Sequence, residues 1–449
     1  MIGPERVRDA LCVLGRVERL TDIGANGPLD ASAATGSLFK CLFGRDSIRM
    51  ARDLLETFPA VARATLLALA ELQGVHTEPL TEEEPGRILH EHRLADDGIG
   101  QELLRRWGVP SFPYYGTVDA TPNFVNLLVA YCGVEGPAFL DTQLVDRTQA
   151  PATLRDVLIR ALAWITRRID EPSGIGLLWV RSTNPRALTV QTWEDSFDSL
   201  YFEDGTLLDM TRPFAHVAVQ GDAFDALLGA AELLEASPGR THAVTLATDW
   251  RSRAARLRER TLNLFWDDDL ATFCLAASFE PDGSPRLARV ASSAPGHLLA
   301  SGLLDGDDAQ PYRAAVASRL ARPDMLAAAG IRTKSTSAAR FGPGTYHNGS
   351  TWPMDTGIIA DGLRRHGFEA QAEELDDRVL RACATVDGFP EFLRGDTDEQ
   401  IRVNTRVLDA VLEDGRTVRL EQPPQDPQGW TVTRVARILS RRGIQLIVS

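Results

Sequence analysis

About twelve stretches of this chain repeat their apolar residues with helical period, and very few alternate with the period of a strand. They lie near 5–19, 46–58, 99–108, 119–132, 152–168, 215–236, 242–265, 291–304, 311–321, 352–366, 368–385 and 430–442, separated by loops rich in Gly and Pro. In the second of them Ile48, Ala51, Leu55 and Phe58 recur at spacings of 3, 4 and 3, which places one apolar stripe on one helix face. Strand-like runs are confined to 176–180, 272–279 and a pair around the turn Asp414-Gly415. The pattern predicts an all-α fold with long loops, in which helices bury their stripes against one another. There is no low-complexity segment and no fixed-period repeat.

Charge narrows the partners. Lys plus Arg is 48 against 62 Asp plus Glu, a formal net charge of −14 with no basic stripe, so nucleic acid and anionic membrane are excluded as expected partners. No apolar run approaches the roughly 20 residues of a spanning helix. The N-terminal segment lacks the apolar region of a signal peptide. Five scattered cysteines, Cys12, Cys41, Cys132, Cys274 and Cys383, without a C-x-x-C, read as reduced core thiols and point to the cytoplasm.

The loops carry the chemistry. "EPGRILHEHR" (84–93), "PYYGTVDATPNFV" (113–125), "TVQTWEDSFDS" (189–199), "GTYHNGSTWPMD" (344–355) and "GFPEFLRG" (388–395) concentrate aromatics, carboxylates and amides between helices. Flat rings to stack on a sugar, together with donors and acceptors for its hydroxyls, are what a carbohydrate site requires. "HEH" at His90, Glu91 and His92 lacks the H-E-x-x-H spacing of a zinc helix, so no metal is expected there. The Gly-rich "GPGTYHNGS" lacks a phosphate-loop lysine, and no G-x-S-x-G elbow occurs. No cofactor is expected.

Taken in order, "FGRDSI", "EPGRILHEHR", "YYGTVDATPNFV", "VQTWEDS", "YHNGSTWP", "GFPEF" and "PPQDPQGW" resemble the successive motifs of glycogen-debranching-type amylo-α-1,6-glucosidases, relatives of glucoamylases and trehalases. The resemblance runs from about residue 36 to 440. It implies an (α/α)6 barrel over residues 1–449 as one catalytic domain, with 403–422 as an inserted hairpin near the C-terminus. It also implies an inverting, exo-acting hydrolase of an α-glycosidic bond, with glucose the expected product.

Inversion needs one carboxyl to protonate the leaving oxygen and another to activate water on the opposite face of the sugar. By resemblance Asp195 is the acid and Glu391 in "GFPEF" the base. Glu194 is a rival for the acid, because in glucoamylases and trehalases the acid directly follows the Trp. Arg45 and Asp46 would grip the terminal sugar, although from spacing alone Asp46 reads equally as a helix cap and Arg45 as its ion-pair partner. Trp193 and Trp352 are candidates for stacking. Tyr115, Asp119, Gln220, His347 and Asn348 are candidates for lining the pocket. The barrel motifs begin by residue 43, leaving no room for the N-terminal β domain or the transferase domain of larger relatives. A small glycoside or oligosaccharide is therefore the expected substrate. A phosphorylase, an epimerase or a glycan-binding protein without turnover on the same barrel are the alternatives.

Overall fold

The computed structural model describes residues 2–34, 37–171, 176–236, 241–403, 406–411 and 417–446. Within them the chain forms α1 (Pro4–Leu14), α2 (Gly44–Leu54), α3 (Pro59–Glu71), α4 (Gly98–Trp107), α5 (Ala120–Glu135), α6 (Leu154–Asp170) and α7 (Val217–Glu235). It continues with α8 (Thr241–Phe265), α9 (Ala294–Leu299), α10 (Gln310–Leu320), α11 (Pro353–Arg365), α12 (Glu369–Val386) and α13 (Gly429–Arg441).

Six of these helices close a ring: α2 packs on α5, α5 on α7, α7 on α9, α9 on α11, α11 on α13, and α13 back on α2. The helices between them lie outside, α3 against α2, α6 against α5, α8 against α7, α10 against α9, α12 against α11 and α1 against α13. This is an (α/α)6 barrel. In two of the inner helices the sequence matches the position. α5 and α7 are apolar almost all round, as helices buried on every side must be, whereas α6 exposes Asp156, Ala163 and Arg167 on one face and buries Leu158, Leu162 and Ile165 on the other. One apolar cluster runs from Ile2 to Leu446 through both rings.

Two helical readings needed correction. The stripe over 46–58 overruns α2, which stops at Leu54; residues 55–58 form the turn before α3, which Pro59 opens at the first helical position where its missing N–H costs nothing. The segment 99–108 is α4, which stands outside both rings and packs on its own cluster of Leu103, Trp107, Val109 and Tyr114. Among the strand-like runs, 272–279 is split. Thr272–Phe273 pairs with Trp266–Asp267, while Ala276–Phe279 is the middle strand of a sheet with Phe214–His216 and Pro285–Ala288. In 176–180 only Val180 pairs, with Phe214, among the described residues. The hairpin joins Arg406–Val411 antiparallel to Thr417–Gln422, and its turn lies outside the described residues.

Candidate active site

Apart from 84–93, which leads to α4, the loops that carry the sequence motifs lead to inner helices, so the helix N-termini gather at one end of the barrel. Phe43 caps α2, Asp119 α5, His216 α7, Trp352 α11 and Gln428 α13. Gly44 is required at the first of these. A Cβ there would stand 2.0 Å from the Leu89 carbonyl oxygen, and the Gly44 N–H donates to His90 O at 2.9 Å, so α2 can begin only by pressing bare backbone against the 88–92 loop.

A cavity of about 160 Å³ opens at this end, and Arg45, Asp46, Trp193, Asp195, His347, Trp352 and Glu391 all line it. Seven of the twelve residues singled out from the sequence thus converge on one pocket. Arg45 is its central cation. Its Nη1 donates to both Asp119 carboxylate oxygens at 3.2 and 3.3 Å, and its Nη2 to Asp195 Oδ2 at 2.9 Å. Asp119 is buried; burial would raise its carboxyl, but Arg45 and the Thr117 hydroxyl more than offset that and hold it below the ordinary carboxylate range. Asp119 therefore positions Arg45 and does not line the cavity.

Asp46 sits in the first turn of α2, and no side chain caps that helix. Its carboxylate instead faces the cavity, and among the described residues no donor reaches it. Burial pushes this carboxyl up to about 6, with Arg45 opposing and Asp195 and Asp119 adding to the rise. An acceptor kept out of protein hydrogen bonds is free to take sugar hydroxyls.

Glu391 enters from the loop after α12. Its backbone N–H donates to Gln425 O at 2.8 Å, its Oε2 accepts from Gln425 N at 3.2 Å, and its Oε1 accepts from the Tyr346 hydroxyl. Both are donors, the complement of an ionised carboxylate. Asp195 is more open, with about a quarter of its side chain exposed.

The neighbouring Glu194 points the opposite way. It has no exposure, and it is held by Lys334 Nζ at 2.5 Å and His216 Nε2 at 3.3 Å. Burial pushes its carboxyl up, but Lys334 and His216 more than offset this, and it lies below its ordinary value. A fully buried, permanently paired carboxylate cannot deliver a proton to a ligand, so the structure corrects the rival reading of Glu194. It braces the loop that presents Asp195.

Three further residues fall outside the cavity. Tyr115 donates to Leu72 O at 2.7 Å and accepts from Arg147. Gln220 spans the Leu178 backbone and His216 O at 2.9–3.0 Å. Asn348 donates to Asp198 O at 3.0 Å. Tyr115 and Asn348 tie loops to neighbouring segments, Gln220 ties the Leu178 backbone to the start of α7, and none lines the pocket.

The aromatic residues form one packed group. His347 stacks on Trp352 with ring centres 4.9 Å apart and meets Trp193 edge-on at 5.5 Å; its Nδ1 lies 3.0 Å from Ser196 Oγ. Residues not singled out from the sequence also border the cavity: Tyr346 and Trp430, which flank the Glu391 side, and Trp107 with Leu103 from α4. Tyr346 and Trp430 lay inside the motifs "YHNGSTWP" and "PPQDPQGW", and their aromatic character was the available signal. His90 and Glu91 line the cavity as well. Burial lowers His90 to about 3, which keeps it neutral, and raises Glu91 to about 7 in spite of its ion pair with Arg93. Among the described residues no group of three or more His, Cys, Asp or Glu side chains could hold a metal ion.

Residues 152–412 match the family model described as the mannosylglycerate hydrolase MGH1-like glycoside hydrolase domain, and not a domain of the glycogen-debranching type that the motifs resemble. Similar solved structures include a GH63 mannosylglycerate hydrolase from Thermus thermophilus in complex with Tris and D-glycerate. It is 16% identical with a TM-score of 0.62, covering 97% of this chain and 100% of that one. The mannosylglycerate hydrolase from that organism in complex with glucose is 15% identical with a TM-score of 0.60, covering 98% and 100%. An uncharacterized conserved protein from the same organism is 14% identical with a TM-score of 0.61, covering 98% and 100%. A search of curated protein sequences finds no match.

Proposed function

Because the chain belongs to the mannosylglycerate hydrolase MGH1-like glycoside hydrolase family, and so is a glycoside hydrolase, we propose that it cleaves a small α-glycoside from the non-reducing end with inversion of the anomeric centre. Asp195 is the general acid and Glu391 the general base. One observation carries this reading. Two carboxyl groups on loops far apart in sequence face a single cavity, one on an open, cation-held loop and the other fixed by two donors, with the unpartnered Asp46 carboxylate between helix N-termini beside them.

The chemistry follows from those positions. Asp46 and Arg45 hold hydroxyls of the terminal sugar, which makes the enzyme an end-cutter. Glu391, oriented by the Tyr346 hydroxyl and the Gln425 N–H, takes a proton from the attacking water. Asp46, Asp119 and Asp195 lie around the Arg45 guanidinium, which ties the acid to the sugar-gripping pair. Asp195, held in place by Arg45 Nη2, passes its proton to the leaving oxygen. Trp193 and Trp352 shape the sugar face. The whole chain acts as one catalytic domain, and the barrel-end pocket with its single sugar-gripping pair favours a small glycoside over a branched polymer. An α-glucoside is the first expectation; one structural relative was crystallised with glucose, and the family name makes an α-mannoside the necessary comparison.

Glu391→Gln and Asp195→Asn should each lower kcat on the preferred α-glycoside by about 100- to 10,000-fold, the usual worth of general acid or base assistance, with circular dichroism unchanged. Wild-type rates in either variant would remove that residue from the mechanism.

A further inference from the structure

One wall of the catalytic cavity is built differently from its floor. Leu38 and Phe39 from the loop before α2, Leu103 and Trp107 from α4, and Leu188 from the loop that carries Asp195 line it together. α4 takes no part in the barrel rings. It is held by a separate apolar cluster, in which the Trp107 ring centre stands 5.0 Å from that of Tyr114 and 6.5 Å from that of Phe112. Asp97 caps the helix by accepting from Ile99 N at 2.9 Å and receives Arg93 Nη1 at 2.8 Å, while Arg93 Nη2 holds Leu38 O. The wall is therefore a fixed element. Leu38 leaves 37% of its surface exposed beside the cavity.

The charges in the cavity point the same way. Asp46, Glu91, Asp195 and Glu391 line it, against Arg45 as the one guanidinium among the described lining residues. Arg45 is already shared between Asp119 and Asp195, and His90 is held neutral by burial. With Glu91 paired to Arg93 and Arg45 already engaged, a carboxylate entering here would face the Asp46 and Glu391 carboxylates on a low-dielectric wall.

Leu188 packs against the α4 cluster, and its loop runs on to Asp195, so one loop links the wall to the proposed acid, on whose side the leaving group sits. We infer that the leaving-group subsite of this enzyme takes an uncharged, apolar alcohol, an alkyl or aryl aglycone, in place of the glycerate bound by a structural relative. The inference rests on the proposed assignment of Asp195 as acid, and on Leu38, Phe39, Leu103, Trp107 and Leu188 as the surface that reads the aglycone.

Calorimetric binding of non-hydrolysable 1-thio-α-glucosides and 1-thio-α-mannosides tests it without requiring turnover. Across methyl, butyl and hexyl aglycones, affinity should rise about threefold to fourfold per methylene until the wall is covered. A thioglycoside of glycerate should bind at least about tenfold more weakly than its glycerol counterpart at low salt, and the gap should narrow as salt screens the charges. Leu103→Ala should flatten the chain-length series. An aglycone-independent affinity, or tighter binding of the glycerate compound, would overturn the inference. Turnover of the matching O-glycosides separates the two readings. If affinities follow the alkyl series but no O-glycoside is cleaved, the hydrolytic assignment of Asp195 and Glu391 fails while the apolar subsite stands. If the glycerate compound is cleaved fastest, the hydrolytic assignment stands and the apolar subsite fails.

Discussion

Replacing Lys334 by Met leaves the Glu194 carboxylate buried with only His216 opposite it. In the wild-type protein Lys334 Nζ lies 2.5 Å from Glu194 Oε1, and neither side chain is exposed. Removing one member of such a pair costs about 3–5 kcal/mol, because the other charge stays buried and unpaired. At about 2.1 cal/mol/K of unfolding entropy per residue, 449 residues give about 0.9 kcal/mol/K. Tm at neutral pH should therefore fall by about 3–5 °C.

The pH dependence has a definite sign. In the wild type, burial pushes Glu194 up but Lys334 and His216 more than offset it, so its carboxyl lies below the ordinary value of 4.5. Its contribution is complete above that value and is lost as pH falls through the lower folded value. In the Lys334→Met protein burial is unopposed by the lysine and raises the carboxyl, so the penalty is present at neutral pH and is relieved as acid protonates Glu194. The difference in Tm should narrow on acidification. Scanning calorimetry of both proteins from about pH 8 to about pH 4 measures this. Adding Glu194→Gln to Lys334→Met should restore most of the loss. A Tm at pH 7 within about 1 °C of wild type, or a double variant no more stable than the single, would refute the bracing role given to this pair.

Other outcomes follow from the same geometry. Asp46→Asn should raise Tm at pH 7 by about 2–3 °C, because a carboxyl pushed up to about 6 costs stability when ionised and regains it as pH falls through that value. The same variant should raise KM at least about tenfold, and wild-type KM should climb as pH drops through about 6, where Asp46 loses an acceptor; a flat KM would exclude Asp46 from sugar binding. Asp195→Asn should impair alkyl glycosides far more than dinitrophenyl glycosides, whose leaving group needs little protonation, whereas Glu391→Gln should impair both equally; steady-state rates on the two substrates separate acid from base. Tyr346→Phe removes a donor from Glu391 and should lower kcat with KM nearly unchanged; an unaltered kcat would show that the hydroxyl does not orient the base.

Much of the fold could be read from the sequence because helical period survives in isolation. The count of about twelve helices agreed with the barrel partly by compensation. α3, an Ala- and Leu-rich helix without a polar stripe, was hidden behind α2, while α4 entered the count although it belongs to neither ring. Amphipathic period shows that a segment is helical but not which layer it joins, since that depends on what packs against it. In the site, Arg45, Asp46, Asp195 and Glu391 could be found from motif order. The inward turn of Glu194 could not, because Asp195 and Glu194 are adjacent carboxylates and only their distant partners, Arg45 for one and Lys334 with His216 for the other, decide which faces the cavity. Tyr115, Gln220 and Asn348 lie outside the cavity for the same reason: a polar residue in a motif can as easily fasten its segment to a neighbour as face a ligand. The apolar wall was invisible because α4, the 38–39 segment and Leu188 meet only in three dimensions.

The most direct test of inverting hydrolysis by Asp195 and Glu391 is a proton NMR time course with the wild-type protein on α-glucosides and α-mannosides, read before mutarotation. Single displacement by water should release the β-anomer first. First appearance of the α-anomer, or cleavage only after phosphate is added, would contradict the role assigned to Glu391.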